Sequence, residues 1–137
     1  MGISTFGGNP IATTAGNATL DYVLSHDLQG NAAACGTIVI DGLKAAAVDL
    51  KTVADVRGKG LMFAVDLVDP ATGEPSPALA GQAMEETKKR GLLVGKGGLN
   101  GATLRMAPPL TLSQSEAREG LGLLTDALRA VDAKAVA

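Results

Sequence analysis

Aromatic residues are nearly absent from this chain, and their scarcity limits the kind of core that it can build. The 137 residues include two phenylalanines, one tyrosine and no tryptophan, although 46% of the residues are hydrophobic. Alanine, leucine and valine must therefore fill the interior, and side chains of that size require helices and strands to approach one another closely. A chain of this length can bury one such core without disulfides or a structural metal.

Apolar periodicity and turn signals predict the order α-α-β-β-α-β-β-α. Helices are predicted at residues 10–24, 28–48, 78–90 and from the capping-box sequence that begins at Ser113. Strands are predicted at residues 53–57, 61–68, 92–94 and 103–106, the first two as a hairpin around a Gly-Lys-Gly turn. This order predicts an α+β fold in which an antiparallel or mixed sheet is covered by helices.

Two features of the second helix and the second strand depart from the simple amphipathic pattern. Gly30 and Gly36 fall in the early turns of the second helix, where glycine weakens helix formation. In the second strand, residues 61–68, Asp66 is the only clearly polar side chain, so both faces of that strand are expected to be covered.

Charge and composition argue against several classes of partner. The formal net charge is −2 and no basic block is present, which predicts no nucleic-acid partner. No apolar stretch approaches the ~20 residues of a membrane span, so no membrane partner is expected. One cysteine, Cys35, and one histidine, His26, predict neither an internal disulfide nor a metal site. A single cysteine fits a reducing compartment, and we predict a cytoplasmic location.

No arrangement of residues in the sequence predicts a catalytic centre. The glycine-rich stretches GLLVGKG at Gly91 and GKGLMF at Gly58 lack the spacing of phosphate-binding loops and are interpreted as turns. His26 is expected at a helix end and Cys35 in the core. Glu85 and Glu86, followed by three cations, predict a charged helix face.

Thr5 lies in the sequence STFGGNP, directly before a helix start predicted from Asn9 and Pro10. A hydroxyl and exposed amides at such a position can hold a phosphate. Ser4 and Thr5 can equally serve as simple helix caps. The residues alone leave both interpretations open.

Arg105 stands between Leu104 and Met106 in a predicted strand, so its side chain leaves the strand on the face opposite to theirs. A guanidinium fixed on a strand is suited to bidentate binding of a carboxylate. An exposed arginine or a surface salt bridge explains the same pattern.

The chain resembles the class III pyridoxal-phosphate-dependent aminotransferases in four sequences and in their spacing. These are STFGGNP at Ser4, DVRGKGLMFAVDLVDP at Asp55, GLLVGKGG at Gly91 and LRMAPPLTL at Leu104. The last two together are most similar to the branch that contains the 4-aminobutyrate, β-alanine and alanine-glyoxylate aminotransferases. That family has the type I pyridoxal-phosphate fold, and this chain is similar only to its last third.

The resemblance implies a division of the chain and a role for two residues. Residues 1–27 would form an interface segment and a helix that packs on a large domain missing from this chain, and residues 28–137 would form the small C-terminal domain. In a homodimer, Thr5 would bond the phosphate of pyridoxal phosphate across the dimer interface, in the neighbouring active site. Arg105 would receive the carboxylate of an amino acid or 2-oxo acid substrate.

The family's covalent machinery lies upstream of the TFGGNP sequence and has no counterpart here. It consists of the lysine joined to the cofactor, the acid paired with the pyridine nitrogen and the aromatic stacked on the ring. Lys59 and Lys96 lie in glycine-flanked turns and do not match the family's lysine sequence. We therefore expect no catalytic residue in this chain, which would be an inactive C-terminal fragment of an aminotransferase. The alternative is a standalone, non-catalytic binding or assembly domain derived from that fold.

Overall fold

The computed structural model describes Thr5 and residues 7–136, and these contain four helices and four strands. Ser4, predicted as a possible cap, lies outside the described residues. In chain order the elements are α1 (Pro10–Ser25), α2 (Leu28–Ala47), β1 (Val53–Lys59), β2 (Met62–Leu67), α3 (Pro77–Lys89), β3 (Gly95–Gly97), β4 (Thr103–Met106) and α4 (Gln114–Ala135).

The helices begin where side chains can accept hydrogen bonds from the free amides of the first turn. Asn9 Oδ1 accepts from the amide of Ala12 at 2.9 Å, with Pro10 at the first helical position. Ser113 and Glu116 form the predicted capping box of α4, in which each side chain bonds the backbone of the other. Both predicted helix starts are confirmed.

The four strands form one antiparallel sheet in the order β1-β2-β4-β3. Its apolar face packs on the helices and includes Phe63, Val65 and Leu67 of β2 and Leu104 and Met106 of β4, all buried. The predicted α+β class, with an antiparallel sheet and helices, is confirmed. The prediction that both faces of β2 are covered is wrong for the described residues. Residues between the buried ones are half-buried or exposed.

The strand predicted at residues 92–94 is wrong, since β3 occupies Gly95–Gly97 instead. The amide of Leu92 donates to the carbonyl of Thr87 at 2.9 Å, so this residue belongs to the end of α3, where Gly91 has a φ of +82°. The apolar side chains of Leu92 and Val94 pack against the core from a segment outside the sheet. Leu92 and Val94 alternate as apolar residues do in a strand, but the backbone of residues 92–94 does not pair with a strand.

Helix α2 and the β1–β2 hairpin are in direct backbone contact. Gly36 is buried, and a Cβ added there would overlap the carbonyl oxygen of Gly60 and lie 2.7 Å from its Cα. Gly60, with a φ of +56°, forms the hairpin turn. Gly36 lowers the helix propensity of α2, but it also permits a close backbone contact that any side chain would block.

Two acidic side chains join distant parts of the fold. Glu86 of α3 is only 8% exposed and accepts from Lys134 of α4 at 2.8 Å and from Arg90 at 2.6 Å. These cations, Lys134 first, lower the pKa of Glu86 to about 2. The ion pairs of Glu86 with Lys89 and Arg90 confirm the predicted charged helix face, and the bond from Lys134 adds a link to α4 that was not predicted.

Asp132 of α4 holds the residue that precedes β1. Its Oδ1 accepts from the amide of Thr52 at 2.8 Å and from the Thr52 hydroxyl at 2.9 Å. Thr52 is fully buried and Asp132 is 8% exposed. The pair satisfies two polar groups that water cannot reach.

Helix α1 differs from the other helices because none of its residues is buried. It packs only against α2 among the described elements, and Ile11 is 84% exposed and Leu24 57% exposed. Among the described residues, no helix is both long and apolar enough to cross a membrane.

Candidate functional site

The face of the sheet turned away from the helices carries a row of polar side chains, which we call the open face. It comprises Arg57 of β1, Ala64 and Asp66 of β2, and Thr103 and Arg105 of β4. Ala64 is paired with both Arg57 and Arg105, and Asp66 is paired with Thr103. Cross-strand pairing places these side chains on one face because directly opposite residues of an antiparallel sheet point the same way.

Asp66 is the centre of a hydrogen-bonded network on the open face. Its Oδ2 accepts from Arg57 Nη1 at 2.5 Å, and its Oδ1 accepts from Arg57 Nη2 at 3.1 Å and from the Thr103 hydroxyl at 2.6 Å. Arg57 Nη1 also contacts Asp55 at 2.7 Å. The Arg57 guanidinium, and then the Thr103 hydroxyl, hold the pKa of Asp66 below its ordinary value.

The side chain of Arg105 is exposed at the other end of this row. Within the part of the chain that the structure describes, its guanidinium makes no hydrogen bond or ion pair. Its partner on β3 is Gly95, and the neighbouring pair joins Thr103 to Gly97. A Cβ added at Gly97 would meet nothing within 4 Å. Because Gly95 and Gly97 have no side chains, β3 places only backbone atoms next to Arg105 and Thr103.

A shallow depression of about 680 Å³ covers this part of the open face. Both arginines line it, together with Thr103 and Gly98. One of these cations is already paired with carboxylates and the other is available. Lys59 also lines the depression and makes no ion pair among the described residues, so a small anion would meet two available cations, of which only the Arg105 guanidinium can form two parallel hydrogen bonds.

Thr5 lies apart from this depression. It is exposed in a bend before Gly8, whose φ is +82°, and before the capped first turn of α1. Helix α1 packs against α2 and has no contact with β4. The structure therefore does not bring Thr5 and Arg105 into one site within this chain.

The remaining sequence candidates contribute no further site. His26 caps the C-terminal end of α1 and stacks on Tyr22 with ring centroids 4.0 Å apart, and Cys35 is fully buried, as expected. Lys59 and Lys96 are exposed. Among the described residues, no group of three or more acidic, histidine or cysteine side chains could hold a metal ion.

The network around Asp66 was not predicted from the sequence. The available signal was the alternation of Asp55 and Arg57 along β1, opposite Asp66, the one polar residue on its side of β2. Alternation places Asp55 and Arg57 on one face, but the register with β2 and β4 that joins all three strands cannot be read from it.

Comparisons with known proteins agree on one family. A family model described as aminotransferase class-III matches residues 2–128. The chain is 39% identical to the Arabidopsis thaliana protein named alanine–glyoxylate aminotransferase 2 homolog 2, mitochondrial, over 115 residues, or 83% of this chain and 24% of that protein. It is 35% identical to the 4-aminobutyrate aminotransferase of Mycobacterium leprae over 121 residues, or 88% of this chain and 27% of that protein.

A solved structure shows the same fold. The Arthrobacter phospholyase in complex with phosphoethanolamine matches with a TM-score of 0.86 and 34% identity, over 94% of this chain and 31% of that chain. The predicted fold is thereby confirmed. The chain spans about a quarter of the length of the two curated relatives.

Proposed function

Because this chain belongs to the class III aminotransferases, we propose that it is the C-terminal part of an enzyme that moves an amino group from an amino acid to a 2-oxo acid. The observation that carries the proposal is Arg105, whose exposed guanidinium has no partner in the described chain and lines the depression of the open face. A guanidinium can bind and orient a carboxylate through two parallel hydrogen bonds. Both substrates of such a reaction carry that group.

Pyridoxal phosphate, when bound, supplies the electron sink for this chemistry. The described residues fit one end of it, because Thr5 offers an exposed hydroxyl close to the N-terminus of α1 and an added Cβ at Gly8 would meet nothing within 4 Å. In our proposal Thr5 donates a hydrogen bond to a phosphate oxygen, and Arg105 holds the substrate carboxylate so that the amino group reaches the reacting centre.

The separation of Thr5 from Arg105 supports the proposal that the intact enzyme is a homodimer. With α1 in contact with α2 alone, Thr5 is free to reach an active site in the neighbouring subunit. Residues 1–27 would then pack on the large domain, which would cover the exposed apolar side chains of α1, and residues 28–137 would form the small domain. A monomeric intact enzyme in light scattering would contradict this arrangement.

Replacing Arg105 with glutamine should weaken the binding of small carboxylates to the chain. Acetate titrated into the labelled wild-type chain should shift the Arg105 Nε–Hε signal in a saturable way. Charge-assisted hydrogen bonds of this kind contribute about 1.5–3 kcal/mol, so Arg105→Gln should weaken acetate binding by about tenfold or more, monitored at neighbouring amides.

Arg118→Gln is the matched control, because Arg118 is also exposed and bonds only the carbonyl of Gln114 of its own helix. Equal acetate binding by the two variants would contradict the role of Arg105. Phosphoethanolamine forms a second arm, since the similar Arthrobacter protein is a phospholyase in complex with it. Tighter binding of phosphoethanolamine than of acetate would favour lyase chemistry in place of amino transfer.

The chain alone should be inactive, because Lys59 and Lys96 do not match the lysine that the family joins to its cofactor. Adding pyridoxal phosphate should give no lysine-dependent band in the visible spectrum and no amino transfer between alanine and a 2-oxo acid. Lys59→Ala and Lys96→Ala are the controls for the spectrum. A band that either substitution removes would overturn the assignment of the chain as an incomplete enzyme.

The alternative is a standalone binding or assembly domain that kept the fold without catalysis. A coding frame that continues upstream into a large domain with a cofactor lysine would support the enzyme. A naturally occurring protein of this length would support the alternative. We also propose a cytoplasmic location, because a sequence with one cysteine fits a reducing compartment. Cell fractionation tests it against the mitochondrial location in the Arabidopsis relative's name.

A further inference from the structure

We propose that Arg57 is a positioning residue that keeps Arg105 free for its ligand by occupying Asp66. The inference deepens the proposed carboxylate role of Arg105 and rests on it. Arg57 itself would not touch the ligand. It would act by removing the one acidic side chain of the neighbouring strand that lies within reach of Arg105.

The sheet register sets up the competition between the two arginines. Asp66 is paired with Thr103, and Arg105 lies two residues farther along β4, opposite Ala64. Asp66 and Arg105 are therefore diagonal neighbours on the open face, a separation of about 7–8 Å that long side chains cross. Ala64 has no side chain long enough to separate them.

In the structure Asp66 is fully engaged elsewhere. Both of its oxygens accept from the Arg57 guanidinium, and Oδ1 also accepts from the Thr103 hydroxyl. A bidentate contact of this kind fixes the orientation of the carboxylate toward β1. As a result the nearest acid on β2 turns away from Arg105.

Asp55 makes the orientation of Asp66 depend on Arg57. Asp55 lies opposite Asp66 on β1, and Arg57 Nη1 bonds both carboxylates. Like charges directly opposite each other are unfavourable in a sheet. Without the Arg57 cation, repulsion from Asp55 would drive Asp66 toward β4, where Arg105 is the available cation.

The pKa of Asp66 tests this competition without any ligand. In wild type, Arg105→Gln should leave the Asp66 pKa nearly unchanged, because Arg57 dominates it. In an Arg57→Ala background, Arg105→Gln should raise the Asp66 pKa by about one pH unit, because Arg105 would have replaced Arg57 as the partner. Carboxyl carbon NMR measures both differences. An Arg57→Ala chain whose Asp66 pKa is insensitive to Arg105 would overturn the proposal.

Acetate binding tests the consequence for the ligand. Arg57→Ala should weaken acetate binding by about two- to fivefold, as expected from a competing exposed ion pair, and Arg57→Lys should preserve it. Asp66→Asn added to Arg57→Ala should restore wild-type affinity. Asp126→Asn added instead should not, since Asp126 is an exposed acid on α4, outside the open face.

The outcomes separate this inference from the proposed function. If Arg105→Gln binds acetate as wild type does, the carboxylate role of Arg105 fails, and the Asp66 pKa measurements still decide whether Arg57 controls the pairing. If Arg105→Gln loses binding while Arg57→Ala retains it, the proposed function stands and the role of Arg57 is refuted. Restoration by Asp126→Asn as well as Asp66→Asn would indicate a general charge effect and would also refute it.

Discussion

Replacing Gly36 with alanine is expected to destabilise the fold by about 2 kcal/mol net, although alanine is the better helix former. The added methyl would overlap the backbone of Gly60 in the hairpin turn. A backbone atom cannot rotate out of the way as a side chain can, so α2 or the hairpin must shift. Overpacking of this kind costs about 1–3 kcal/mol or more and exceeds the ~1 kcal/mol gained in helix propensity.

Gly81→Ala in α3 is the matched control for this prediction. It is also a glycine inside a helix, but a Cβ added there meets nothing within 4 Å. It should stabilise the chain by about 0.5–1 kcal/mol. Urea unfolding followed by circular dichroism measures both variants, and equal effects would show that the contact between α2 and the hairpin is not tight.

Replacing Asp132 with alanine is expected to cost about 3 kcal/mol of unfolding free energy. The change would leave the buried amide and hydroxyl of Thr52 without the acceptor that holds both at 2.8–2.9 Å. Each buried polar group that loses its partner costs about 1–3 kcal/mol. Asp132→Asn keeps an acceptor oxygen and should lose less.

Asp126→Ala provides the comparison within the same helix. Asp126 is 64% exposed and has only Arg129, at 3.7 Å, as a partner. Removing such a pair should change stability by less than about 0.5 kcal/mol. If chemical denaturation gives Asp132→Ala and Asp126→Ala the same midpoint, the Thr52 contact does not anchor α4 to the sheet.

Helix starts were the most predictable part of the fold because they depend on neighbours in sequence. Asn9 with Pro10 and Ser113 with Glu116 specify caps through bonds that span three residues. Strand β3 was misplaced because its position depends on pairing with β4, which the alternation of Leu92 and Val94 does not report. The link from Glu86 to α4 was not predicted for a similar reason, since Lys134 is 48 positions away.

The candidate site divides in the same way. Thr5 and Arg105 were named because the chain resembles a family whose sequences mark them, and their roles remain proposals. The prediction that Arg105 leaves its strand opposite to Leu104 and Met106 needed only the two-residue period of a strand, and the structure confirms it. The Asp66 network depends on the register of three strands, which the period does not determine.

The scarcity of large side chains has a consequence for the thermodynamics of folding. Alanine and glycine lose almost no rotamer freedom when they are buried, whereas long side chains lose up to about 2 kcal/mol each. This core consists mainly of leucine and valine with several alanines, so its side chains lose less entropy on burial than long side chains would. The leucines and valines supply most of the buried apolar area, and close backbone approaches such as that of Gly36 to Gly60 keep voids out of it.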